Sequence, residues 1–147
     1  MITIDRLSAD DLNGLKFLYE NGFDAPKTNS NRILEVFNQI KDNPNYIILC
    51  AKIDQMVVGS VMGVVCHELF GDCLPFMVVE NVVVLNNYRR MGIAALLMQK
   101  LEEQAMVAQC TTILFVSSVH RTGAHRLYES LGYGVDKVNG YRKRLKK

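Results

Sequence analysis

The chain has 147 residues and a mass of 16.6 kDa, and its 17 Lys and Arg against 15 Asp and Glu give a net charge of +2. An apolar content of 49% with 22% charged residues excludes the composition of a disordered chain. The near balance of charge gives no general electrostatic case for binding nucleic acid or an anionic membrane. We therefore expect a single globular domain over residues 1–147.

The N-terminal sequence and the cysteines indicate the cellular compartment in which we expect the protein. Residues 1–7 lack the basic start and apolar core of a secretory signal, and no apolar run approaches the roughly 20 residues of a membrane-spanning helix. Cys50, Cys66, Cys73 and Cys110 form no CxxC pair and accompany no cluster of histidines, which argues against a metal site. We interpret them as buried small apolar residues of a cytoplasmic protein.

The first half of the chain predicts a strand over 2–6, two helices and a hairpin. Ser8 and Asp11 are typical of a capping box before the first helix, and a loop over 22–30 separates that helix from the second. The second helix is predicted from apolar residues at helical spacing, which are Ile33, Val36, Phe37 and Ile40. The Val- and Ile-rich segments 46–53 and 56–68 flank Asp54-Gln55 and predict a two-stranded hairpin.

The second half alternates between strands and helices. The predicted elements are a strand over 76–85, a helix over 93–109, a strand over 111–116, a helix over 122–131, and closing strands over 133–138 and 141–145 around Asn139-Gly140. The full order, β-α-α-β-β-β-α-β-α-β-β, predicts a mixed α/β domain with hairpins early and late.

The junction after the strand 76–85 carries the most specific signal. The strand gives way to Arg89-Arg90-Met91-Gly92, and a helix then begins at Ile93-Ala94-Ala95. A helix N-terminus has about four unpaired N–H groups and a partial positive charge, and small residues let an anion approach that backbone. The junction therefore predicts a cradle for a phosphate or pyrophosphate. An ordinary turn with solvent-facing arginines is the alternative on these residues alone.

Two motifs resemble those of the GNAT superfamily of acetyl-CoA-dependent N-acetyltransferases. Arg89-x-x-Gly92-x-Ala94 is similar to the R/Q-x-x-G-x-G/A motif, and the segment 124–133 resembles the A-x-x-x-Y-x-x-x-G-F/Y segment of that family. The strand Glu80-Asn81-Val82-Val83-Val84 resembles its fourth strand. The resemblance implies a GNAT-like fold, with a central mixed sheet of six to seven strands flanked by about four helices.

The resemblance also implies acetyl-CoA as co-substrate, without a metal. In GNAT enzymes the fourth and fifth strands part, and the pantetheine arm lies between them. The backbone of Val82, Val83 and Val84 would bind that arm and the acetyl carbonyl. The residues implied around the pyrophosphate are Arg89, Arg90, Met91, Gly92, Ile93, Ala94 and Ala95. Ala124 would offer a small surface near the cofactor.

The catalytic roles implied by the resemblance fall on Tyr128 and Glu80. Tyr128 would lie near the sulfur and donate a proton to the leaving thiolate, since the pKa values of tyrosine and thiol are about 10 and 8.5. Glu80, an acid in an otherwise apolar strand, is expected to be buried and to act as the general base. A solvent-facing Glu80 and a purely structural Tyr128 are the alternatives. Water or His120 could also serve as the base, and we expect His125 to be exposed.

The function implied is transfer of an acetyl group to a primary amine of a small molecule, by direct attack in a ternary complex. The family binds the acceptor through segments corresponding to 21–32 and 134–140, and parts of this sequence resemble its amino-sugar branch. Arg121 replaces the family's frequent Asn, which puts one cofactor hydrogen bond in doubt. A silent acyl-CoA-binding module and acetylation of a protein amine remain alternatives, and the predicted edge strands would allow a homodimer.

Overall fold

The computed structural model describes residues 1–24 and 27–146, and these residues include five strands and four α-helices. The chain divides into two units, Met1–Leu114 and Phe115–Lys147. All five strands and the first three helices belong to the first unit, and the fourth helix belongs to the second. The predicted loop 22–30 includes residues 25 and 26, which lie outside the described residues.

The five strands form one sheet in the order β1-β2-β3-β4-β5. They are Ile2–Arg6 (β1), Tyr46–Ile53 (β2), Met56–Cys66 (β3), Phe76–Val84 (β4) and Ile113–Leu114 (β5). The first four pair antiparallel with their neighbours, whereas β4 and β5 run parallel. The predicted mixed sheet is confirmed, but the expectation of six to seven strands is wrong.

The connection between β2 and β3 is the predicted two-residue hairpin. Asp54 and Gln55 both have positive φ, at 49° and 68°. Left-handed values at both central positions are typical of the hairpin turn whose twist matches that of the flanking strands. β3 ends at Cys66, two residues before the predicted end at Glu68.

The helices are Leu12–Gly22 (α1), Ser30–Ile40 (α2), Ile93–Val107 (α3) and Thr122–Ser130 (α4). A single 3-10 turn over Ala9–Asp11 leads into α1. There Ser8 donates from its N–H and its hydroxyl to the Asp11 carboxylate, at 2.9 and 3.0 Å, which confirms the predicted capping pair. Among the described helices, none is long and apolar enough to cross a membrane.

α1 and α3 cover opposite faces of the sheet. A Cβ on Gly59 of β3 would lie 3.1 Å from the Ile93 side chain, so this glycine lets α3 approach the strand closely. Ser60, the next residue, points to the other face, on which its β4 partner Val83 lies against Gly22 of α1. The first unit therefore has three layers around the buried strands β2, β3 and β4.

In the second unit, the predicted closing strands are absent from the described residues. Gly132 ends α4 as predicted, with a φ of 97°, but Gly134 is also left-handed, at 100°. The four apolar side chains that would give the segment a buried face are all exposed, and they are Val135, Val138, Tyr141 and Leu145. A strand needs both a buried face and a paired edge, and this segment has neither.

In the first unit, β5 is shorter than predicted. It contains two residues, Ile113 and Leu114, whereas the sequence predicts a strand over 111–116.

All four cysteines are free thiols. Only Cys50 is buried as predicted, since Cys66 and Cys110 are half-buried and Cys73 is exposed. Cys73 lies in the turn before β4 with a φ of 57°. The expectation that the four cysteines are buried apolar residues is therefore correct for Cys50 and wrong for the exposed Cys73.

Candidate active site

A β-bulge interrupts β4 at the centre of the predicted site. Met62 pairs with Glu80 and Ser60 pairs with Val83, so that the single residue between them on β3 opposes two residues of β4. One of these, Asn81, has a φ of 57°. Asn tolerates the left-handed region better than most side chains, and such an extra residue bends a strand and increases its twist. The bulge separates Glu80 from Val82, Val83 and Val84.

Glu80 is exposed to solvent, so the prediction that it is buried is wrong. Before the bulge, the buried residues Met77 and Val79 alternate with Phe76, Val78 and Glu80. Glu80 is the last residue of the less buried row, and the chain turns immediately after it. Val82, Val83 and Val84, by contrast, are all buried. An acidic side chain is therefore accessible at the point where the strand bends.

β4 extends well beyond its pairing with β5. The two strands pair only through Met77 with Ile113 and through Val78 with Leu114, whereas β4 continues to Val84. The parallel pairing thus ends before the bulge. β5 itself ends at Leu114, so the parting of the two strands that the resemblance implies stays a prediction.

Tyr19 of α1, which the sequence analysis did not single out, reaches the bulge. Burial, together with the nearby Cys50 thiol, raises the pKa of Tyr19 to about 12, and the polar side chains of Asn81 on β4 and Ser60 on β3 act in the opposite direction. The residue is therefore neutral at physiological pH. The sequence signal that could have indicated the bulge is the Glu80-Asn81 pair within an apolar strand.

The C-terminal end of α1 lies tightly against the end of β4. A Cβ on Gly22 would come within 2.5 Å of a Val83 methyl group. Arg89 donates from Nε to the Val84 carbonyl and from its terminal nitrogen to the Gly22 carbonyl, both at 2.9 Å. The Arg89 guanidinium therefore links α1 to β4 through these two hydrogen bonds. Its predicted role as countercharge to the pyrophosphate would come in addition to this structural role.

The loop between β4 and α3 has an open backbone at its helix end. Arg90 and Gly92 are both left-handed, with φ of 64° and 79°. Gly92 is the N-cap residue of α3, where no side-chain cap is present and the first turn has no acidic residue. A Cβ on Gly92 would meet nothing within 4 Å. Successive N–H groups at such a terminus suit an anion.

The side chains of this loop differ in exposure. Arg90 and Met91 are exposed, Ala94 and Ala95 are half-buried, and Ile93 is buried in the core against β3. Of the predicted pyrophosphate residues, Ile93 can therefore contribute only its backbone.

In the second unit, Tyr128 is buried with 6% of its surface exposed. Its ring meets Phe115 edge-on at 4.6 Å, and Phe115 meets Tyr133 in the same manner at 5.0 Å. Burial raises the pKa of Tyr128, and the nearby Arg121 charge acts in the opposite direction. Tyr128 is therefore protonated at neutral pH, as a proton donor must be. Ala124, one turn earlier on α4, is half-buried.

The two histidines considered as bases differ in their surroundings. His120 is exposed. His125, predicted to be exposed, is half-buried, and its Nε2 lies 2.9 Å from the Ser118 carbonyl oxygen. A carbonyl only accepts, so Nε2 carries the proton in this contact. His125 is therefore engaged with the backbone.

Comparison with known families identifies the fold. The profile of the acetyltransferase (GNAT) family matches residues 13–133, which span β4, the bulge, the open loop and α4. The chain belongs to the GNAT acetyltransferase family. The resemblance of the two motifs to this family is thereby confirmed, and the chain is a GNAT-type N-acetyltransferase.

Solved structures share the GNAT fold over the whole length of the chain. A transcriptional regulator from Bacillus halodurans has a TM-score of 0.90 at 20% identity, with 99% of this chain and 100% of that chain covered. Glucosamine-6-phosphate N-acetyltransferase from Arabidopsis thaliana has a TM-score of 0.87 at 15% identity, with 99% of each chain covered. An aminoglycoside N-acetyltransferase in complex with CoA has a TM-score of 0.81 at 20% identity, with 98% and 95% covered.

Proposed function

We propose that the protein transfers an acetyl group from acetyl-CoA to a primary amine of a small molecule, by direct attack within a ternary complex. The observation that carries the proposal is the continuous path from the bulge at Asn81, along Val82–Val84, to the uncapped N-terminus of α3. This path offers polar backbone at one end and an anion-binding helix terminus at the other. A CoA thioester has the matching features, an amide-containing arm and a pyrophosphate.

The residues of the path fit that co-substrate. The N–H groups of Gly92, Ile93, Ala94 and Ala95 at the start of α3 would bind the pyrophosphate, with Arg90 as countercharge. The backbone of Val82–Val84 would bind the pantetheine arm. A backbone N–H of this segment would stabilise the oxyanion that develops when the amine attacks the thioester carbonyl.

The proton transfers are assigned to Glu80 and Tyr128. An alkyl ammonium has a pKa of about 10.4 and cannot attack until it loses a proton. Glu80 is exposed at the bulge, so it can accept that proton directly or through a water molecule, while His120 remains a second candidate. Tyr128 would donate its proton to the departing thiolate, and the nitrogen keeps the acetyl group as an amide.

The acceptor is proposed to be a small amine related to amino sugars. Two of the GNAT structures with the same fold are named for such acceptors, glucosamine-6-phosphate and the aminoglycosides. The polar side chains that this chain offers in the segments 21–32 and 134–140 are of mixed charge, and they are Asp24, Lys27, Arg32, Asp136 and Lys137. Side chains of both charges suit a polar amine substrate that carries hydrogen-bond donors as well as hydrogen-bond acceptors.

Release of CoA thiol from acetyl-CoA, measured over a panel of amino sugars, aminoglycosides, polyamines and peptide amines, tests this function. We expect amine-dependent release with at least one small amine. Glu80→Gln and Tyr128→Phe should each lower kcat by roughly a hundredfold. Glu68→Gln, also an exposed glutamate, and Tyr46→Phe are matched controls that should stay within about twofold of the wild type.

Binding of CoA alone is measured in parallel by thermal shift. At a concentration about a hundredfold above Kd, we expect stabilisation of about 2.7 kcal/mol and a Tm increase of roughly 5–10 °C. Stabilisation without turnover of any amine would support the silent acyl-CoA-binding module. Turnover of peptide amines alone would replace the small-molecule acceptor with a protein amine, and normal turnover by both variants would reject the assignment of acid and base.

A further inference from the structure

On the α1 face of the sheet, one row of side chains across β2, β3 and β4 is buried. It consists of Cys50, Ser60 and Val83, which lie directly opposite one another on the three strands. Residues opposite each other in antiparallel strands point to the same face. Val83 lies against Gly22 of α1. This row therefore shows where α1 covers the sheet.

The next row on the same face is accessible to solvent. It consists of Ile48, Met62 and Glu80, which again lie opposite one another on β2, β3 and β4. Met62 is two residues beyond Ser60 on β3, so both rows face the same side. Ile48 and Met62 are half-buried, and Glu80 is exposed. The glutamate proposed as the base therefore stands at one end of a row whose other members are apolar.

The row after that is apolar as well. Val64 of β3 lies opposite Val78 of β4, and both side chains are half-buried. Beside Glu80 the sheet thus presents an accessible surface without charge, which we call the apolar strip. The apolar strip consists of Ile48, Met62, Val64 and Val78.

The far end of the apolar strip meets a cavity between α2 and β2. The cavity has a volume of about 50 Å³, and its lining includes Ile48 together with Leu7, Phe37 and Ile40. A volume of this size admits several water-sized groups. Neighbouring strands lie roughly 4.8 Å apart, so Ile48 on β2 is roughly 10 Å from Glu80 on β4. A molecule held at Glu80 has room to extend over this distance.

We propose that the apolar strip binds the carbon skeleton of the acceptor while the amine nitrogen lies at Glu80. The proposal rests on the proposed function and narrows the acceptor to primary amines with an apolar portion, such as an alkyl group or the C–H face of a sugar ring. The Glu80 carboxylate attracts the ammonium group before it loses its proton. Apolar atoms of the acceptor gain free energy when they cover the strip.

Amines with a second positive charge are disfavoured by the same surface. A second ammonium group over the apolar strip would lose hydration without gaining a partner. At the cavity it would meet Arg6 and Lys41, two cations that also line this space, and like charges repel. The arrangement therefore selects a monoamine with an apolar extension over a diamine of equal length.

Acetylation of unbranched alkylamines from ethylamine to octylamine tests the proposal. We expect kcat/KM to rise by about twofold to fourfold for each methylene group that the strip covers. The diamine 1,8-diaminooctane should be acetylated with at least about tenfold lower kcat/KM than octylamine. A profile that is flat along the series, or a preference for the diamine, would overturn the proposal.

Ile48→Thr removes apolar surface at the end of the strip that only a long amine reaches. We expect kcat/KM for octylamine to fall by about fivefold and that for ethylamine to change by less than about twofold. Ile53→Thr is the matched control, since Ile53 is also a half-buried isoleucine of β2 but lies at the hairpin end. It should leave both values unchanged.

Met62→Gln provides a second variant on a different strand, in case Ile48→Thr folds poorly. Glutamine has a similar length and keeps the backbone pairing of β3, so kcat/KM for octylamine should again fall by about fivefold. Met56→Gln is its control, because Met56 is an accessible methionine at the hairpin end of the same strand. Equal effects of each variant and its control would reject the apolar strip as part of the site.

Calorimetric titration of octylamine into the CoA-bound protein gives a readout that does not depend on turnover. Saturable binding that weakens in Ile48→Thr but not in Ile53→Thr would support the apolar strip, even in a protein that acetylates no amine and for which the proposed function fails. Turnover of small amines without any dependence on chain length or on Ile48 would keep the proposed function and reject the strip.

Discussion

The guanidinium of Arg89 lies 2.9 Å from the carbonyl oxygen of Gly22, a residue 67 positions earlier in the chain. The same side chain contacts the Val84 carbonyl at the end of β4. Arg89 therefore joins the last turn of α1 to the strand that leads into the proposed CoA loop. Its neighbour Arg90, which has a left-handed backbone and an exposed side chain, is the one free to meet an anion.

The two adjacent arginines should respond differently to substitution. Arg89→Met should lower the free energy of unfolding by about 1 kcal/mol, because it removes two hydrogen bonds from a partly exposed site. Arg90→Met should leave stability unchanged and raise the Kd of CoA by about fivefold, an effect that declines with added salt. Urea denaturation and calorimetric titration measure the two quantities. Identical behaviour of the two variants would contradict the assignment.

Gly22→Ala should destabilise the protein by about 1–3 kcal/mol. The added methyl group would lie 2.5 Å from a Val83 side-chain carbon, so α1 or β4 must shift. Gly123→Ala is the matched control, since an added Cβ there meets nothing within 4 Å and φ is not left-handed. That control should be neutral or stabilising by up to about 1 kcal/mol. Equal loss in thermal denaturation of both variants would refute the close approach at Gly22.

The ion pair between Lys52 and Asp11, at 2.7 Å and with side chains only 15% and 8% exposed, should contribute to stability. Burial raises the pKa of Asp11, but hydrogen bonds from Lys52 and Ser8 prevail and hold it below its ordinary 3.8. Lys52→Met should therefore cost about 3 kcal/mol at pH 7, since it leaves a buried carboxylate unpaired. Arg32→Met, which removes an exposed pair with Glu35, should cost less than about 0.5 kcal/mol.

The pH dependence of that ion pair has a definite sign. Because the folded pKa of Asp11 is lowered, its stabilisation is present above pH 3.8 and is lost as the pH falls through the folded value. The hydrogen bond with Asp11 raises the pKa of Lys52 above 10.5, so its contribution is lost only as the pH rises through that folded value. The difference between wild type and Lys52→Met in urea denaturation should shrink at both extremes. A difference that stays constant from neutral pH down to acid unfolding would contradict the pairing.

Amides of the segment 135–146 should exchange with deuterium at the earliest time point. The segment contains no strand in the described residues, and its large apolar side chains are exposed. Amides of β3, at the centre of the sheet, should remain protected far longer. Mass spectrometry of proteolytic peptides measures both. Strong protection of the amides at 135–146 would instead support the closing hairpin that the sequence predicts.

The sequence alone was sufficient for features that depend on residues close to one another in the chain. The capping pair of Ser8 and Asp11 spans one turn, and the Asp54-Gln55 hairpin is determined by its two central residues. The Arg89-x-x-Gly92-x-Ala94 motif likewise lies within one loop and the first turn of a helix. These local signals identified the GNAT family and the helix terminus proposed for the pyrophosphate.

The tertiary structure decided what depends on partners distant in the chain. The bulge at Asn81 follows from the register between β3 and β4. Glu80, which was expected to be buried, is exposed because it ends the less buried row of β4. Arg89 donates to the Gly22 carbonyl at the end of α1, a partner 67 positions earlier in the chain. The closing strands were predicted from local β propensity, but a strand forms only where a paired edge and a buried face exist. Both properties depend on residues elsewhere in the chain and cannot be inferred from the segment's own sequence.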